Sequence, residues 1–179
     1  MKIKYKIEKM IGFTDKQAEL YKKACDAMIY ELNHDEYWNE VEYNWDDFTW
    51  KRGYTFDQFK SLVMSGNNNY DFDNDQSIDI TVKSYYSWRS VVGYTKPSTV
   101  MTWINRKFMG MQIDDFAAHI WHEQIHQYNF NHPNTDRNSL VYQAGYIMRD
   151  CVSERVFIGE KPQETVKLTW YQRLWQWIF

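Results

Sequence analysis

At 179 residues the chain is long enough to form one domain with a substantial core. A formal net charge of −3 gives no bulk electrostatic case for nucleic-acid binding. No apolar run reaches the length of a membrane span, and two cysteines make no disulfide framework.

Cys25 and Cys151 read as free thiols in a reducing compartment. The start, from Met1 to Phe13, carries charge throughout and lacks the apolar stretch of a secretory signal. A cytoplasmic setting, or one within a virus particle, is expected. Plentiful Lys, Asn, Tyr and Ile are what AT-rich codons give, which fits a phage or low-GC bacterial source.

Residues 2–8 alternate Lys and Glu with Ile and Tyr, the period of a short strand. Thr14 followed by Gln17 reads as a capping box that opens a helix through about Leu32. Leu20, Ala24, Ala27 and Met28 form its apolar face. Residues 36–50 hold Tyr37, Trp38, Val41, Tyr43, Trp45, Phe48 and Trp50. This density of aromatics predicts a strand or an irregular aromatic layer, with packing favoured over a carbohydrate-binding platform. Thr55 and Gln58 make a second capping box, for a helix to about Met64, and Ser65-Gly66-Asn67-Asn68-Asn69 breaks the chain.

Asp71, Asp73 and Asp75 open an acidic stretch that resembles the start of an EF-hand loop. Gln76 stands where the sharp turn wants Gly, and Val82 where the bidentate Glu belongs, so a solvated loop is favoured over a Ca²⁺ site. Strands are predicted from Ser77, near Val91–Tyr94, and over Thr99–Phe108.

The stretch DDFAAHIWHEQIHQYNFNH, residues 114–132, carries the chemistry. Asp114 or Asp115 can cap a helix in which Ala117, Trp121, Ile125 and Tyr128 face inward. His122 and His126 are four apart, so one helix face offers both imidazoles to one metal ion. Glu123 adjoins that face and can hydrogen-bond a metal-bound water. Zn²⁺ suits nitrogen ligands and, in a catalytic site, an open position. His132 precedes Pro133, which disfavours helix at the residue before it, so His132 is expected on a chain that turns back towards the metal. Three of the five histidines share this register, which argues against a chance HExxH.

HEQIHQYNFNH resembles the HExxHxxxxxH signature of zincin metallopeptidases. Metzincins write it HExxHxxGxxH followed by a Met-containing turn, and SprT-like proteases can end it on Asn-His, as Asn131-His132 does here. Asn129 replaces the metzincin Gly; Asn is the next-best residue for a left-handed turn. Met148 is a candidate Met-turn residue or a buried helical Met. The resemblance implies an α+β fold, a single compact zincin-like domain over residues 1–160. A small mixed sheet would pack on the metal helix, with further helices N- and C-terminal to it. It implies Zn²⁺ on His122, His126 and His132, Glu123 as catalytic base, and a peptide or protein substrate. In such proteins the strand before the metal helix, here Thr99–Phe108, is commonly the sheet edge that holds substrate; an ordinary internal strand is the alternative.

Residues 138–156 read as a helix packed on the metal helix. In gluzincins a carboxylate on that helix is the third ligand, so Asp150 or Glu154 competes with His132; loop position and spacing favour His132. His119, Tyr142, Tyr146 and Asp150 are candidates for supporting the ligands or the oxyanion, with His119 equally readable as a solvent-exposed His. Residues 161–179 are aromatic and apolar all round and predict a helix that packs on the domain or docks on a protein partner. A non-catalytic structural or interaction protein that keeps a zinc site, such as a virus-particle component, is the alternative to a peptidase.

Overall fold

The computed structural model describes residues 2–68, 72–96 and 100–159. The expected 161–179 helix and Asp71 lie outside these. The first strand, β1, covers Lys4–Ile11, and the helix α1 covers Asp15–Leu32. Its capping box forms as read: Gln17 N–H donates to Thr14 Oγ1 at 3.3 Å, and Thr14 N–H donates to Gln17 Oε1 at 3.0 Å. The same exchange between Thr55 and Gln58 opens α3, Phe56–Ser65, which ends on Gly66 in the left-handed region at φ 81°.

The aromatic stretch after α1 is a correction. It forms a helix, α2, over Asp35–Tyr43, and a 3₁₀ turn over Trp45–Asp47. Tyr37, Trp38 and Val41 share one helical face and are buried. Packing decides this against the strand preference of aromatics. The Trp38 indole donates to Leu32 O at 2.8 Å, and Tyr37 Oη accepts from the Trp121 indole at 2.5 Å, so both polar tips are satisfied inside the core. Trp45 stacks on Phe59 with ring centroids 5.6 Å apart. These buried rings are unavailable as a carbohydrate platform.

β2, Ser77–Tyr85, buries alternate residues Ile78, Ile80, Val82 and Ser84. β3 spans Gly93–Thr95 and β4 spans Met101–Asn105. The sheet order is β1-β2-β4-β3, with β1, β2 and β4 parallel and β3 antiparallel to β4. β4 is therefore internal, and the edge nearest the metal helix is β3, not the strand that precedes the helix in sequence. Helices α4, Ile113–Gln127, and α5, Leu140–Gly159, complete an α+β domain with four strands and five α-helices among the described residues. One apolar cluster joins α1, α2, α3, β2, α4 and α5, with Tyr21, Trp38, Phe59, Ile80, Trp121 and Met148 fully or almost fully buried in it. Met148 lies within α5, which places it as core and not in a Met-turn. No helix of the described residues is long and apolar enough to cross a membrane, and Cys25 and Cys151 are both unpaired thiols.

A candidate metal centre on the fourth helix

The N-cap of α4 is Gln112, not Asp114 or Asp115. The two aspartates occupy the first turn, where a negative charge complements the helix dipole. Ala117, Trp121 and Ile125 face inward as expected, but α4 is buried on nearly every side, because α1, α5 and β3 all pack on it. Gly93 lets β3 approach: a Cβ there would stand 2.6 Å from Trp103 O and collide with the His119 imidazole.

The helix ends at Tyr128, and Asn129 takes φ 68°, the left-handed conformation that the glycine of the signature would supply. Phe130 then anchors the chain in the core against Tyr54 and Phe59, with ring centroids 5.2 and 5.4 Å away. This reversal brings His132 back over α4. The ligand nitrogens of His122, His126 and His132 all lie within 4.8 Å of one another. His132 Nε2 stands 3.3 Å from His122 Nε2. A tetrahedral zinc site with bonds of about 2.05 Å has edges of about 3.3 Å, which the His122–His132 separation matches. In two of the rings the other nitrogen is engaged: His126 Nδ1 pairs with Phe130 O at 2.8 Å and His132 Nδ1 with Pro133 O at 3.1 Å. A donated Nδ1–H leaves Nε2 as the lone-pair nitrogen in both rings.

Burial keeps these rings neutral. It pulls His122 well below the usual histidine range and His126 down to about 4, the latter partly opposed by the Phe130 carbonyl. His132, half-buried, is lowered in the same direction. Neutral imidazoles are what a divalent cation needs. Among the described residues this is the only group of three or more His, Cys, Asp or Glu that could hold a metal.

Glu123 is 3% exposed. Burial raises its carboxyl to about 7, partly opposed by hydrogen bonds from the hydroxyl and backbone of Thr95. Its Oε2 has no hydrogen-bond partner among the described residues. His119 is buried, not solvent-exposed, and its Nε2 lies 3.8 Å from Glu123 Oε1. Burial lowers His119 to about 3. The Tyr142 ring sits 4.3 Å from that of His132 and 4.8 Å from that of His122, and the Arg137 guanidinium lies 4.5 Å from its centroid. Tyr146 stacks on Tyr142 at 6.2 Å, one turn further out. Asp150 is not brought to the centre: it is exposed and held by Arg149 at 2.9 Å. Glu154 is likewise exposed. The stretch holding Asp73 and Asp75 contains Asx turns, with Ser77 N–H donating to Asp75 Oδ1 at 2.7 Å.

Sequence reading missed Thr95 and Asp136. Thr95 reaches Glu123 from 28 positions away, and Asp136 fixes the His132 loop to a segment 86 positions earlier, so neither leaves a local spacing signal. Comparisons of the chain with protein families, with curated proteins and with solved structures found no match.

Proposed function

We propose that the chain is a zinc-dependent hydrolase of peptide bonds, of the zincin type. The observation that carries this reading is the convergence of His122, His126 and His132 on one point, with Glu123 next to the first ligand. His122, His126 and His132 would hold the zinc, which would supply Lewis acidity to water and to a carbonyl. Glu123, near 7, is suited to accept a proton at its unpaired Oε2 and return it to a leaving amine. β3 is an edge strand, to whose open side an extended peptide can add as a further strand, the Thr95 N–H being already held by the Glu123 carboxyl. The Tyr142 ring lies beside two of the three histidines, which supports a role for its hydroxyl in steadying the oxyanion.

The test compares cleavage of unstructured peptides by the zinc-loaded chain and its Glu123→Gln variant. The variant should hold zinc and lose about 10²–10⁴-fold in rate. Retained activity overturns the mechanism.

One observation favours a second reading, a non-catalytic zinc-bearing structural or interaction protein. Glu123 is 3% exposed and tied to Thr95, as a packing residue would be. Zinc binding without cleavage of any peptide selects this reading.

A further inference from the structure

Two of the three histidines stand on a helix buried on nearly all sides; the third stands on a loop. Ordering that loop is the entropic cost of the third ligand, and preorganisation removes the cost before a metal arrives. The segment Thr49–Tyr54, which leads into α3, contacts this loop at both ends. At the near end, the Asn129 side-chain oxygen, with the amide turned to suit both partners, accepts from Arg52 Nη1 at 2.9 Å and Nη2 at 3.2 Å. At the far end, Thr49 Oγ1 and Trp50 Nε1 both donate to Asp136 Oδ2 at 2.7 Å. Backbone bonds reinforce this end: Thr49 N–H donates to Asn138 O, and Leu140 N–H donates to Thr49 O, each at 2.9 Å. Asp136 also closes the turn that follows His132, through its N–H to Pro133 O at 3.1 Å and its Oδ1 to Asn138 N–H at 3.0 Å.

Core packing holds Tyr54, against Phe130, but does not account for Trp50 and Arg52. Trp50 is 52% exposed, yet it holds φ 61°; Arg52 holds φ 54° and Gly53 φ 75°. Bulky residues avoid the left-handed region, and such strain persists where surrounding contacts over-determine it. The contacts to Asp136 and Asn129 do so here together with Lys51, whose Nζ donates to Trp45 O at 2.7 Å.

We propose that Thr49, Trp50 and Arg52 form a clamp, acting through Asp136 and Asn129, that positions His132 against His122 and His126 and so sets the metal affinity of the centre. This rests on the three histidines being a metal centre and not on turnover.

The test titrates the metal-free full chain with Co²⁺, whose visible absorption reports the ligand set, and follows with zinc competition. Asp136→Ala and Trp50→Phe should each weaken binding, by about ten-fold for Asp136→Ala, as loss of a supporting hydrogen bond typically does. Thr49→Val should weaken it and Thr49→Ser should restore it. The Co²⁺ spectrum of Asp136→Ala should shift towards that of His132→Ala. In a His132→Ala background, Asp136→Ala should weaken binding no further, because the clamp then has no ligand to position. Equal losses in both backgrounds would assign these residues to general stability and overturn the proposal, as would wild-type affinity in Asp136→Ala and Trp50→Phe. If Asp136→Ala fails to fold, Trp50→Phe, at an exposed position and keeping an aromatic ring, carries the same comparison. Absence of Co²⁺ binding by the wild type would remove the metal centre and the clamp together, whereas wild-type binding that no clamp variant alters would remove the clamp alone.

Discussion

Thr95, the last residue of β3, donates its hydroxyl to the main-chain carbonyl of Glu123 at 3.2 Å, and hydrogen bonds from Thr95 also hold the Glu123 carboxyl below the value that burial alone would give it. Thr95→Val keeps the backbone N–H and removes the hydroxyl. One lost hydrogen bond to a charged group is worth roughly 1.5 kcal/mol, or about one pKa unit. Glu123 should then titrate further above about 7. If Glu123 is the base of a peptidase, the acidic limb of kcat/KM moves up by about one pH unit while zinc content is unchanged. A limb that stays put would show that another group sets it.

Zinc should stabilise the fold in proportion to its affinity. At a hundred-fold excess over Kd the gain is about 2.7 kcal/mol, which for a chain of this size raises Tm by roughly 5–10 °C. A chelator should reverse it. His132→Ala should show a clearly smaller rise at the same zinc concentration. An undiminished rise would mean that His132 is not a ligand.

Without metal, stability should fall on mild acidification. Burial lowers His119 from 6.5 to about 3 and His126 to about 4, and lowers His122 in the same direction. Below pH 6.5 the unfolded chain therefore binds more protons at these sites, and their contribution, complete above 6.5, is lost as pH drops towards the folded values. Glu123 runs the other way: raised from 4.5 to about 7, its contribution is present below 4.5 and lost as pH rises through 7. Between about 4.5 and 6.5 the four lowered histidines, His132 included, oppose the two raised carboxyls Glu123 and Glu31, so Tm should rise with pH, with a slope of about 1.4 kcal/mol per pH unit for each uncompensated proton. His119→Gln should flatten that slope, as thermal melts across the interval would reveal.

Gly93→Ala should disturb the approach of β3 to α4. The added methyl meets the Trp103 carbonyl at 2.6 Å and the His119 ring, both in packed surroundings. Overpacking of this kind costs about 1–3 kcal/mol. A denaturant midpoint equal to that of wild type would show that β3 yields easily.

Features written in neighbouring residues were legible in the sequence. Both capping boxes, the alternation of β2 and the left-handed Asn129 follow from contacts spanning a few positions. The spacing from His122 to His132 is also local, and the structure gathers those three rings. What depends on distant partners was not legible. Tyr37, Trp38 and Val41 form a helix because Leu32, Trp121 and α5 receive them, not because aromatics prefer helices. The edge position of β3 follows from a sheet order in which β4 is inserted between β2 and β3. His119 is buried because β3 lies on it through Gly93. Asp150 was a candidate because gluzincins carry a carboxylate ligand on that helix, and which face of α5 it takes, exposed beside Arg149, depends on how α5 packs.

The parallel pairing of β1 with β2 sets Lys4 opposite Ser77, so the first ladder closes a loop that holds three helices. Loop closure on that scale precedes any return from the contacts, so this pairing should be the slow event in refolding. Helix α4 has almost no solvent face and gains its stability only when α1, α5 and β3 are in place. Its histidines therefore meet His132 after the rate-limiting step. A metal ion should leave the refolding rate unchanged and slow unfolding instead, acting as a latch on a finished fold and not as a template for it.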